Sequence, residues 1–144
     1  MRREFKPSLG RPADFDLFWN STKLQLERID ADIARTLVET SATSPIRHEL
    51  VSFTSLGRAR ITAHCLQWQT TESRPLLIYS HGYGSHCEPR WDWAERGFNV
   101  VGVDIRGFGL SAGALPKPSR WGYVLTGIEA PETSVLRLAV CDYM

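Results

Sequence analysis

Long apolar runs are missing from this chain of 144 residues: stretches such as Leu76–Tyr79 fall far short of the about 18 residues that a membrane-crossing helix needs. Cysteine is scarce. Cys65, Cys87 and Cys141 are odd in number, widely spaced and without a C-x-x-C pair, which excludes a disulfide framework and the usual zinc motifs. An excess of one charge is lacking too, with 17 Lys and Arg against 16 Asp and Glu, mixed along the chain. That balance leaves no electrostatic footprint for nucleic acid or for an anionic membrane surface. A readable export signal is absent, because Arg2, Arg3 and Lys6 are followed by Pro7, Gly10 and Pro12 where an apolar stretch would be required. The expectation is a cytoplasmic protein. His81, His86 and Cys87 lie close together, but their spacing matches no metal motif, so neither a metal nor another cofactor is expected. There is no internal repeat or low-complexity tract.

What is present suits one core. A hydrophobic content of 42% over this length predicts a single domain spanning residues 1–144. Pro12 suits a first helical turn, and Asp14 and Asp16 suit the positive end of a helix. Phe15, Phe18, Trp19, Thr22, Leu26, Ile29 and Ile33 then recur at helical spacing, predicting an amphipathic helix over about 12–37 whose aromatic face packs into the core. After the turn-rich Ser41–Pro45, two strands are predicted over Glu49–Thr54 and Ala59–Trp68, joined as a hairpin by Leu56-Gly57-Arg58. Period-two alternation in the second strand places His64 on the surface.

Pro75 introduces Leu76-Leu77-Ile78-Tyr79, a continuous apolar run of the kind found in a strand covered on both faces. A short helix over about Arg90–Arg96, stopped by Gly97, and a strand over Phe98–Val103 complete a βαβ unit. Residues 106–127 are rich in glycine and proline, Pro116 and Pro118 among them, and read as a long loop of the kind that carries function. A last helix opens at Pro131 and Glu132, with Val135, Leu136, Ala139, Val140 and Tyr143 on one face.

Two loops stand at the carboxyl ends of predicted strands, where α/β sheets place their ligands. The first is Ser80-His81-Gly82-Tyr83-Gly84-Ser85, whose glycines let backbone N–H groups approach a developing oxyanion. The second is Asp104-Ile105-Arg106-Gly107-Phe108-Gly109. This pair resembles that of many α/β-hydrolases. Within that fold, the chain resembles the acetyl xylan esterase and cephalosporin C deacetylase family over nearly its whole length. The likeness is carried by Arg11–Trp19, Gly57–Ile61, His81-Gly82-Tyr83-Gly84, Asp104–Gly109, Gly122-Tyr123 and Thr126-Gly127-Ile128, in the family's order. It departs at Ser134-Val135-Leu136, where the family has three aromatic residues before the arginine here at position 137.

The resemblance implies the N-terminal portion of an α/β-hydrolase fold: a mostly parallel sheet with an N-terminal hairpin and flanking helices. It implies deacetylation of acetylated sugars or related esters through a serine acyl-enzyme, with the backbone N–H of Tyr83 as an oxyanion-hole donor. Asp104 and Arg106 are expected to brace their loop, while Trp121 and Tyr123 either face the acyl pocket or anchor the long loop. The expected partner is a small-molecule or carbohydrate acetyl ester, with a homo-oligomer or a complementing C-terminal chain left open. In the family the nucleophile, acid and histidine lie beyond the last helix, so no catalytic residue is expected in this chain. The Leu76–Tyr79 strand, without its neighbour, would offer a bare edge. Two alternatives remain open: a fragment of another α/β-hydrolase, such as a dienelactone hydrolase or a peptidase, and a non-catalytic binding or interaction module.

Gly109-Leu110-Ser111-Ala112-Gly113 fits G-x-S-x-G, yet its context is wrong for a nucleophile. An elbow needs a strand before the serine and a helix after it, whereas Pro116 and Pro118 follow here. Hydrolases of this fold also run serine, acid, histidine in chain order, and all four histidines, at 48, 64, 81 and 86, precede Ser111.

Overall fold

A computed structural model describes residues 9–43, 45–115 and 117–144. Arg2, Arg3, Lys6 and Pro7 of the N-terminal cluster, and Pro116 of the long loop, lie outside the described residues. The elements are α1 (Phe15–Glu27), β1 (Ala34–Thr40), β2 (Ile46–Ser55), β3 (Ala59–Trp68), β4 (Leu76–Ser80), α2 (Trp91–Ala94), β5 (Asn99–Asp104) and α3 (Val135–Cys141). Five strands form one sheet in the order β1-β2-β3-β5-β4. This is a mixed α/β architecture with helices flanking a sheet.

The first helix is shorter than the spacing of its apolar residues predicts. It does not reach residue 37 but ends at Glu27. The Asp30 side chain accepts the Asp32 N–H at 3.0 Å, and Asp32 takes a left-handed φ of 42°, so the chain turns there. Residues 34–40 then extend as β1, antiparallel to β2 in the register Ala34↔Ser52, and Arg35 reaches Glu49 at 3.0 Å. Thr36, Val38 and Thr40 are β-branched and fit this role, a signal that the helical period of the preceding residues masks. The expected hairpin forms as β2 and β3, with Gly57 and Arg58 both at positive φ in its turn.

The sheet expected to be mostly parallel is mixed in this chain. β1–β2, β2–β3 and β3–β5 are antiparallel, and β4–β5 is parallel. A parallel pair requires a crossover, and the chain completes one, through α2.

Cores form on both faces. On the α2 face, Ile46, Leu66, Ala94 and Val100 are buried among Trp68, Tyr79, Trp91, Trp93 and Phe98. On the other, Ala59, Ile61, Ala63 and Val103 meet Phe53, Val101 and Tyr143. His64 is therefore half-buried rather than fully on the surface. Its strand is covered on both sides, and its Nδ1 lies 3.0 Å from Nε2 of the buried His48, one ring donating to the other. β4, by contrast, lies at the sheet edge, with Leu76 and Ile78 more than half exposed.

The last helix begins at Val135 rather than at Pro131, and its buried side chains are Val135, Arg137, Ala139 and Cys141. Leu136 and Val140, expected in the core, are exposed. Arg137 displaces them from the contact with α1. Its Nε donates to Thr22 Oγ1 and its Nη2 to Gln25 Oε1, both at 3.0 Å, so a polar clamp joins the two helices.

The histidine pair makes stability depend on pH. Burial lowers the pKa of both rings below 6.5, and each ring's proximity to the other lowers that of His64 further. Glu39, 3.7 Å from His48 Nδ1, and Asp104 pull upward but are outweighed. The unfolded chain then binds more protons, so the contribution is complete above pH 6.5 and is lost as pH falls through the depressed native values. Urea midpoints are expected to drop from pH 7 to pH 5, and less steeply in His64→Gln. Equal slopes for the two proteins would refute this origin.

Candidate active site

α2 and α3 pack on opposite faces of the sheet. The loops leaving the adjacent parallel strands β4 and β5 stand side by side at the strands' carboxyl ends, which is the ligand position of open α/β sheets. Both sequence motifs meet there. Ser85 N–H donates to Gly82 O at 3.1 Å, closing a tight turn over Gly82–Ser85. Gly84 holds φ at +76°, which explains glycine at that position, whereas Gly82 has ordinary angles and open space around it. The Tyr83 side chain is 73% exposed and lies edge-on to Phe108 and Tyr123, with centroids at 6.1 and 6.3 Å. Among the described residues no group accepts the Tyr83 N–H.

The second loop is braced from below. Asp104 is buried and accepts N–H groups from Cys87 at 2.6 Å and Leu110 at 2.8 Å, tying the two loops together. Gly109 answers this contact: a Cβ there would stand 2.1 Å from Asp104 Oδ2. Arg106 is also buried. Its guanidinium binds Asp142 through Nη2 at 2.6 Å and Nε at 3.0 Å, and donates to Leu56 O at 3.0 Å. Tyr123 OH donates to Arg106 O at 3.0 Å, and burial pushes its phenol up to about 12. Tyr123 therefore anchors the long loop. Trp121 is 72% exposed, with Arg120 over its ring at 4.6 Å.

Ser111 is 1% exposed, and its Oγ accepts the Thr62 N–H at 2.8 Å. It lies in a 3-10 turn, Gly109–Ala114, and its hydroxyl takes up the β3 N–H at the end of the β3–β5 ladder. Ser111→Ala strands that N–H and is expected to lower stability by about 1–3 kcal/mol in denaturant unfolding, while leaving any esterase activity unchanged. Loss of turnover with the fold intact would make Ser111 the nucleophile after all. His81, His86 and Cys87 are separately engaged: His81 Nδ1 with Gly82 O at 2.9 Å, His86 beside Glu88 at 3.8 Å, and Cys87 Sγ with Val103 O at 3.3 Å. Burial raises the Cys87 thiol to about 11, so it is a poor nucleophile near neutral pH.

Two site-shaping residues have no local sequence signal. Asp142, which holds Arg106, is 36 positions away from it, and Thr62, which Ser111 caps, is 49 away.

Residues 2–143 match the family Acetyl xylan esterase (AXE1). The chain belongs to that family. Acetyl xylan esterase 1 from Thermoanaerobacterium sp. JW/SL YS485 is similar in structure, with a TM-score of 0.79 and 27% identity over 91% of this chain and 43% of that one. The acetyl xylan esterase from Paenibacillus sp. R4 shares the fold, with a TM-score of 0.81 and 22% identity over 96% of this chain and 47% of its own. This member of the acetyl xylan esterase family thus spans less than half the length of either solved structure. Among the described residues no helix is long and apolar enough to cross a membrane.

Proposed function

We propose that the chain supplies the oxyanion-binding half of a cytoplasmic serine esterase that removes acetyl groups from sugars or related esters, cephalosporin C-type acetates included. The observation that carries this reading is the unpaired Tyr83 N–H on a tight turn just past the carboxyl end of β4. A backbone donor fixed there meets negative charge as it develops on an ester carbonyl oxygen, without reorganising. The family match favours an acetyl ester over the lactone or peptide substrates of other hydrolases with this fold. Attack requires a serine activated by a general base, and the serine in this chain that fits the nucleophile pattern is buried as a strand cap. By itself the chain is therefore inactive.

The test is a chimera in which this chain replaces the matching part of the Thermoanaerobacterium enzyme. It is expected to release acetate from acetylated xylan and to prefer 4-nitrophenyl acetate to the butyrate, while the unaided chain hydrolyses neither. Rapid cleavage by the unaided chain, or a folded chimera with no preference for acetate, would overturn the proposal.

A further inference from the structure

The peptide that carries the Tyr83 N–H begins at the Gly82 carbonyl, and in a planar trans peptide the two groups point in opposite directions. Whatever holds Gly82 O therefore aims the Tyr83 N–H. Gly82 supplies no restraint of its own: a Cβ there would meet nothing within 4 Å beyond its chain neighbours, and glycine is the least restricted residue. The hold comes from outside. Ser85 N–H donates to Gly82 O at 3.1 Å, and His81 Nδ1 lies 2.9 Å from the same oxygen. A carbonyl can only accept, so His81 carries a hydrogen on Nδ1 and is the second donor.

The imidazole has no other polar engagement. Among the described residues its Nε2 is enclosed without a hydrogen-bond partner. The ring packs against Phe108, with centroids 5.0 Å apart, and Phe108 packs in turn on Tyr123 at 4.6 Å. The second loop thus fixes the ring, and the ring fixes a peptide of the first. Hydrogen bonds to Gly82 O also polarise that peptide, which makes its N–H a stronger donor. Misplacing a reacting group by about 1 Å costs about 10²-fold in rate, so the hold bears on turnover.

We propose that His81 is a positioning residue of the oxyanion site, acting through the Gly82 carbonyl to aim the Tyr83 N–H, an inference that rests on Tyr83 as the oxyanion donor. Two variants separate the hydrogen bond from the rest of the ring. His81→Asn keeps an N–H donor at the same reach, because its amide nitrogen and Nδ1 are both bonded to Cγ, whereas His81→Leu puts a methyl group there. In the 144-residue chain, the nitrogen-15 order parameter of Tyr83 is expected near about 0.85 for the parent and His81→Asn, and below about 0.6 for His81→Leu. In the Thermoanaerobacterium chimera, His81→Leu should lower kcat on 4-nitrophenyl acetate about 10–100-fold with KM within about twofold, and His81→Asn should stay within about threefold of the parent. A Tyr83 amide as rigid in His81→Leu as in the parent would overturn the proposal. So would unchanged kcat in that variant, a loss carried by KM, or a folded His81→Asn as impaired as His81→Leu. A parent chimera that releases no acetate sinks the esterase reading instead, while the order parameters still decide what holds the peptide.

Discussion

Tyr83→Pro is expected to lower kcat on acetate esters by about 10²–10³-fold in the chimera described above, while Tyr83→Phe leaves it close to the parent value. Proline removes the N–H and keeps a backbone that can follow Gly82, whereas phenylalanine removes only the exposed phenol. The split between the two variants separates a backbone role from a side-chain role. KM should change little for proline if the donor acts chiefly on the transition state. Equal kcat for Tyr83→Pro and the parent, with circular dichroism showing both folded, would remove Tyr83 from the oxyanion site.

Arg106→Ala or Asp142→Ala is expected to cost about 3–5 kcal/mol in denaturant unfolding, because each leaves the other charge buried without its partner. The two residues are 3% and 2% exposed, and the pair links β5 to the residues that follow α3. Replacing both together, as Arg106→Met with Asp142→Leu, should cost less than either alanine variant, since no orphan charge remains. Arg90→Ala, which breaks an exposed pair with Asp92, should hardly move the midpoint. If Arg106→Ala were as mild as Arg90→Ala, the brace beneath the second loop would not be the Arg106–Asp142 pair.

Much of the scaffold could be read from local pattern. The β2–β3 hairpin announced itself through a Gly-containing turn between alternating strands, and the βαβ unit through two apolar runs around a Gly-terminated helix. Each rests on neighbours a few residues apart. β1 could not be read in this way, because Ile29 and Ile33 continue the helical period of α1. The Asp30–Asp32 turn and pairing with β2 overrode that period. Likewise, the alternation of β3 placed His64 outside, and only cover from both faces put it beside His48.

By itself the sequence determined the β2–β3 hairpin, the βαβ unit, the two loops at strand ends, the family likeness, and the poor context of Ser111 for an elbow. These depend on turn chemistry, short-range periodicity and chain order. The tertiary structure alone decided the occupation of Ser111 by Thr62, the partnership of Arg106 with Asp142, the clamp of Arg137 on α1 and the placing of α2 and α3 on opposite faces. Those contacts join residues 36–115 positions apart. No local preference encodes such pairs, because they exist only once the sheet has brought distant segments together.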